Sequence, residues 1–121
     1  MATHNHTLNY LSEKTWYWIA GLFEGEGSLS IPSAVVDNHP TFSLSMTDED
    51  VISKLARYLG VKYYTRKPKN KNHKTAYVVQ FRNRTRITWI IENIFELMSK
   101  RRQEKMTEVL DVYKQKDEHK C

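Results

Sequence analysis

The sequence predicts an α+β fold, a four-stranded sheet made of two antiparallel hairpins with helices on one face. Three observations lead there. Apolar residues recur at helical spacing in four segments. The first three of these segments are separated by pairs of short stretches in which apolar and polar residues alternate. Clusters of turn formers divide each pair. The order is α-β-β-α-β-β-α-α over 121 residues, a length that suits one domain.

Residues 1–11 read as a loose, polar N-terminal extension and residues 12–121 as the domain. Ser12 suits an N-cap, and Glu13 suits the positive end of the helix that follows. Trp16, Ile19, Ala20, Leu22 and Phe23 make this helix apolar over most of its circumference, so it is buried on more than one side. Gly25 and Gly27 end it. Leu29 and Ile31 then alternate with Ser28 and Ser30, and Asp37-Asn38-His39-Pro40 forms a turn. The returning strand sets Phe42, Leu44 and Met46 against Thr41, Ser43 and Ser45. Thr47 is the expected cap of the middle helix, whose buried stripe is Val51, Ile52, Leu55 and Leu59 and whose stop is Gly60. The second hairpin runs from Val61 to Lys67, through the polar loop 68–73, and back over Thr75 to Arg82. Asn83 is placed to cap a third helix carrying Ile87, Ile90, Ile91, Ile94 and Leu97. After a break near Ser99, Met106, Val109, Leu110 and Tyr113 mark a last amphipathic helix reaching about Lys116.

Charge narrows the function. The formal charge is +5, and none of the 14 acidic residues lies between Val51 and Ile91. That segment holds Lys54, Arg57, Lys62, Arg66, Lys67, Lys69, Lys71, Lys74, Arg82, Arg84 and Arg86. A block of one sign attracts a polyanion, and nucleic acid fits best. A solvated basic face without a partner is the plainer alternative. Acidic lipid is less favoured, because the basic residues fall largely on strands and not on a basic amphipathic helix. No apolar run approaches the roughly 20 residues of a membrane span, and the start lacks the basic and apolar regions of a secretory signal. Cys121 is the lone cysteine, which excludes an internal disulfide and fits a reducing compartment. His4, His6, His39, His73 and His119 are scattered without zinc-ligand spacing. Gly25-Glu26-Gly27 lacks the third glycine of a dinucleotide loop. Trp16, Trp18 and Trp89 suit the core or an interface, while Tyr63, Tyr64 and Tyr77 sit among basic residues where they suit either packing or contact with DNA.

The chemistry concentrates in Ile19-Ala20-Gly21-Leu22-Phe23-Glu24-Gly25-Glu26-Gly27. Gly21 lies inside a helix, at a cost of about 1 kcal/mol relative to alanine. Gly21 and Gly25 share a helix face and leave it bare, which admits another helix backbone at close range. Glu24 and Glu26 stand at the negative end of the helix dipole, where carboxylates are disfavoured. Residues that break local rules are candidates for function. Gathered carboxylates need cations, and hard oxygen ligands suit Mg²⁺. The competing interpretation is a surface helix with an ordinary glycine stop.

This stretch resembles the LAGLIDADG motif of homing endonucleases, with Ile for the first Leu, Phe for Ile, and Glu at both acidic positions. Its surroundings agree. Gly27-Ser28-Leu29 enters a strand, Met46-Thr47-Asp48-Glu49-Asp50-Val51 opens the middle helix, and Lys100-Arg101-Arg102-Gln103 opens the last one. The similarity spans residues 12 to 113.

The resemblance implies a saddle-shaped sheet on DNA and cleavage of both strands with Mg²⁺, or Mn²⁺ in its place. It makes Glu26 the metal ligand, with the carbonyl of Gly25 facing the metal, and gives Glu24 a structural part near the helix end. Most relatives carry Asp where Glu26 stands. It places a basic residue at the end of the fourth strand near the scissile phosphate, where Arg82 matches first and Arg84 second. A peripheral polar position falls on Met46, which cannot bind metal, so Asp48 is its substitute. One motif implies a homodimer meeting along Tyr17, Ala20, Gly21, Glu24 and Gly25, and a long pseudo-palindromic duplex target. Ser28, Ser30, Ser43, Ser45, Arg66 and Gln80 would face the groove, while Lys62, Lys67, Lys69, Lys71 and Lys74 meet phosphates. The implied location is intracellular, with the target genome. A non-cleaving protein on the same scaffold, an intron RNA maturase or DNA regulator, is the alternative.

Overall fold

A computed structural model of the chain describes residues 8–32 and 39–118. Residues 1–7 of the N-terminal extension, Asp37 and Asn38 of the first turn, and His119 and Cys121 lie outside the described residues. Along the chain run helix α1 (Glu13–Glu26), strands β1 (Gly27–Ser30) and β2 (Thr41–Met46), and helix α2 (Glu49–Leu59). Strands β3 (Tyr64–Arg66) and β4 (Ala76–Phe81) follow, then α3 (Arg84–Ile94), a 3₁₀ turn (Phe95–Leu97) and α4 (Lys100–Glu118). This is the expected α+β order.

The strands form one antiparallel sheet in the order β1-β2-β4-β3. Register fixes its two faces, because cross-strand partners share a side. One row holds Leu29, Phe42 and Phe81, the next row, through Ser28, Ser43 and Gln80, points the other way, and so does the row of Ser45, Val78 and Tyr64. Leu29, Phe42, Leu44 and Val79 join the buried cluster with Ile19 and Phe23 of α1, Ile52 and Leu55 of α2, Ile87 and Ile91 of α3, and Met106 and Val109 of α4. The helices therefore cover that face. The rings of Phe23 and Phe42 stack with centroids 5.3 Å apart, and those of Phe42 and Phe81 at 4.8 Å, so the end of α1 is packed onto the sheet through a phenylalanine column. The opposite face, bearing Ser28, Ser30, Ser43, Ser45, Gln80, Tyr64 and Arg66, carries no helix.

Local chemistry sets the helix ends. Ser12 accepts from the Thr15 N–H and Asn83 from the Arg86 N–H, as their types predict. Gly60 takes a left-handed conformation (φ 72°) at the end of α2, with its N–H and that of Val61 turned back onto the last turn. Three expectations need correction. Asp48, not Thr47, caps α2, through its backbone carbonyl, which accepts from Val51 and Ile52, and its side chain makes no capping bond. The third strand begins at Tyr64 instead of Val61, since Val61 spends its N–H on Ala56 in closing α2. The extension is not loose throughout. Asn9 donates to the carbonyls of Arg57 and Tyr58, and the buried Arg86 donates from Nε to Leu59, so two side chains satisfy the exposed carbonyl end of α2.

Candidate active site and nucleic-acid face

Helix α1 runs straight into β1, so its C-terminal tip is fixed at one edge of the sheet. Gly27 marks the junction. A Cβ there would stand 2.1 Å from the Phe23 ring, so only glycine lets the strand leave this closely against the helix. Gly21 and Gly25 are different. A Cβ at either position would meet nothing within 4 Å. Packing within this chain does not require them to be glycine. They lie on the exposed side of α1 with Lys14 and Tyr17, the latter 53% exposed. Ala20, expected on this side too, is 4% exposed and packed among the chain's own core residues, turned away from the bare strip.

The two acids of the tip have separate environments. The Glu24 carboxylate accepts from the Ser99 N–H at 2.7 Å and from the Ser99 hydroxyl at 2.9 Å, which ties α1 to the start of α4. These bonds, the backbone one foremost, and the charges of Arg102 and Arg101 hold its pKa below the ordinary carboxylate value. Arg102 also donates to the carbonyls of Gly27 and Glu24, and its guanidinium lies 5.1 Å from the Phe23 ring centre. Its Nε makes no hydrogen bond but stands 3.6 Å from Glu24. A cation placed there opposes the negative end of the α1 dipole. Glu26, by contrast, is exposed and has no hydrogen-bond or ion-pair partner among the described residues.

Arg102 takes the carbonyls of Glu24 and Gly27, while among the described residues neither the Glu26 carboxylate nor the Gly25 carbonyl has a side-chain partner. Both are hard donors of the kind Mg²⁺ takes. Among the described residues, no three Asp, Glu, His or Cys side chains of one chain come together around a metal position. The tip therefore fits a divalent cation only as a partial donor set, which further oxygens must complete.

The expected basic partners of this tip are displaced. Gly27 shares a row with Leu44 and Val79, and Arg82 follows three residues further along β4, away from Glu26. That is about 10 Å along the strand and roughly 10 Å sideways across β2. Arg82 thus does not stand beside the acidic tip. Arg84 is bound elsewhere, in a paired contact with Asp117 of α4 at 2.6–2.7 Å and over the Tyr113 ring. The cations that do gather at the tip are Arg101 and Arg102, which with Lys105, Ser28, Leu29 and Phe23 line a cleft of about 170 Å³. The Lys100-Arg101-Arg102 run was visible in the sequence, but nothing local signalled that α4 would begin beside α1. The remaining lysines, Lys62, Lys67, Lys69, Lys71 and Lys74, are all exposed around β3 and the loop after it. Met46 is half-buried and Asp48 exposed at the end of β2.

An antiparallel sheet with one bare polar face, helices behind it and a carboxylate-bearing helix end at its edge defines the fold of the LAGLIDADG homing endonucleases. The chain belongs to the LAGLIDADG endonuclease family, whose pattern it matches over residues 19–114. It is similar in fold to the group I intron-encoded homing endonuclease I-CeuI complexed with DNA, at a TM-score of 0.66 and 13% identity over 93% of this chain and 59% of that one. It is similar to the LAGLIDADG homing endonuclease I-GzeII in complex with its DNA target, at 0.64 and 18% over 96% and 40%. The archaeal intron-encoded homing endonuclease I-Vdi141I, complexed with DNA, gives 0.56 and 20% over 78% and 64%. This chain spans less than two thirds of each of these three. No curated protein matches it in sequence.

Proposed function

We propose that the protein is a site-specific homing endonuclease that acts as a homodimer and hydrolyses a phosphodiester bond in each strand of duplex DNA with a divalent metal. The observation that carries this reading is the pair Gly21 and Gly25, whose missing side chains face open space on the helix that ends in the unpartnered Glu26. A second copy of α1, crossing at these glycines about a two-fold axis, is the partner this strip fits. The crossing brings two Glu26 carboxylates and two Gly25 carbonyls to one centre, and the DNA phosphates complete the donor set. A divalent cation held by the Glu26 carboxylate and the Gly25 carbonyl would supply activation of water and neutralisation of charge on the phosphate. Glu26 binds and orients it. Arg101 adds positive charge beside the tip, in the part first assigned to Arg82. Ser99 and Arg102 keep Glu24 engaged, which leaves Glu26 as the free acid. The lysines around β3 hold the duplex by its phosphates, and the bare sheet face lies in the groove.

The test is incubation of the purified protein with a randomised duplex library and Mg²⁺, followed by sequencing of the ends. Discrete paired ends are expected, lost with chelator. Glu26→Gln is expected to reduce cutting by about a hundredfold or more while binding in Ca²⁺ stays within a few fold. Specific binding with no ends at any Mg²⁺ or Mn²⁺ concentration would overturn cleavage in favour of a binding protein on this scaffold, such as an intron RNA maturase.

A further inference from the structure

On the bare sheet face three side chains form one hydrogen-bonded line across β3 and β4. Arg66 donates from its guanidinium to the Tyr64 hydroxyl at 3.3 Å, and that hydroxyl donates to Gln80 Oε1 at 2.7 Å. Tyr64 lies directly opposite Val78, two residues before Gln80. Val78, opposite Tyr64, is fully buried. Arg66 and Gln80 are exposed, and Tyr64 is 45% exposed.

The direction of the protons in this line is determined by chemistry. A guanidinium has donors only. Arg66 can only donate to the Tyr64 oxygen, which leaves the phenolic proton for an acceptor, and Gln80 Oε1 takes it at 2.7 Å. The amide of Gln80 is thereby oriented, with its oxygen turned sideways into the sheet and its NH₂ left for the groove. A free glutamine reads adenine by turning its oxygen and nitrogen edge together to N6 and N7, whereas a glutamine whose oxygen is drawn toward Tyr64 presents its NH₂ donors first. Beside it, the remaining N–H groups of Arg66 are donors as well. Guanine presents two acceptors, O6 and N7, on its major-groove edge, and adenine presents one acceptor and one donor.

We infer that the Arg66–Tyr64–Gln80 line makes this face selective for guanine over adenine at one position of each half-site, with Tyr64 as the residue that sets the preference. The assignment rests on the proposed nucleic-acid reading of the sheet. The strand order places β3 and β4 on the side of the sheet away from β1 and the acidic tip. The guanine therefore falls in the outer part of each half-site, away from the two-fold centre. Tyr64 acts through Gln80 and is a positioning residue.

The test compares base preferences, read by sequencing a randomised duplex library after binding in Ca²⁺, for the wild type, Tyr64→Phe and Gln80→Ala. The position whose preference Gln80→Ala erases identifies the contacted base pair. There the wild type is expected to favour guanine over adenine by about tenfold, the scale of one good base contact. Tyr64→Phe is expected to bring the ratio to unity or invert it, with other positions and the thermal midpoint unchanged. Wild-type preference for adenine at that position, or a Tyr64→Phe protein with the wild-type ratio, would overturn the inference while leaving the nuclease reading intact. A wild type that enriches no duplex at all would overturn both.

Discussion

Glu24 and Glu26 are two residues apart with the same charge, yet their surroundings assign them different work. Glu24 is bonded by Ser99 and Arg102, and Glu26 has no partner among the described residues. The consequence for stability has a definite sign. Glu24's pKa is lowered on folding from its ordinary value of 4.5. Its contribution is therefore complete above that value and is lost as pH falls through the lower folded value. Glu24→Gln is expected to melt below the wild type at pH 7, with the gap closing as pH falls from 4.5 through the lowered folded value. Thermal melts of both proteins across that range check it. A gap independent of pH would mean that the carboxylate's charge is not what Ser99 and Arg102 recognise. The division between the two acids was legible only as a resemblance. Local sequence places both at a helix end, and the partner that separates them lies 75 residues away.

At the scale of elements, the three glycines of α1 and its junction form a natural contrast. Gly27→Ala must push its methyl into the Phe23 ring and is expected to destabilise the isolated chain by about 1–3 kcal/mol. Gly21→Ala meets open space and is expected to stabilise the isolated helix by up to about 1 kcal/mol. In the proposed dimer the same methyl holds two backbones apart. Gly21→Ala should thus raise the melting temperature of dilute protein and shift sedimentation toward monomer. Unchanged association would sink the glycine strip as the contact. Most elements could be read from the sequence, because periodicity and caps such as Ser12 and Asn83 are local signals. Thr47 failed as a cap since Asp48 already supplies the backbone turn, and the early part of the third strand failed because Gly60's left-handed stop consumes the residues after it. Ala20 was misplaced because a helix apolar on nearly all sides does not say which side another chain will see.

For the whole molecule, the acid-free stretch from Val51 to Ile91 told correctly that one region is strongly basic, but not which cations are free for a partner. Folding spends several internally. Arg84 pairs with Asp117, Arg86 ends α2, and Lys54 lies 4.8 Å over the Trp18 ring. The logarithm of DNA affinity should fall linearly with the logarithm of salt, with a slope set by the loop lysines. Lys69→Ala and Lys71→Ala are each expected to flatten that slope by about one, and Arg84→Ala to leave it unchanged. Titrations at several salt concentrations measure this directly. The sheet order escaped the sequence, since pairing β2 with β4 across α2 depends on which long-range contacts win, and no short pattern encodes that.

The same strand order separates two kinds of duty. The Glu24–Ser99–Arg102 knot belongs to the β1 edge, while Arg66, Tyr64 and Gln80 lie on the β3–β4 side, and among the described residues no hydrogen bond joins the two groups. On the proposed reading, substitutions that retune recognition would leave the acidic end untouched. If the proposed cleavage holds, a descendant could adapt to a new genomic address by altering a few side chains on one margin and keep its scissors as inherited.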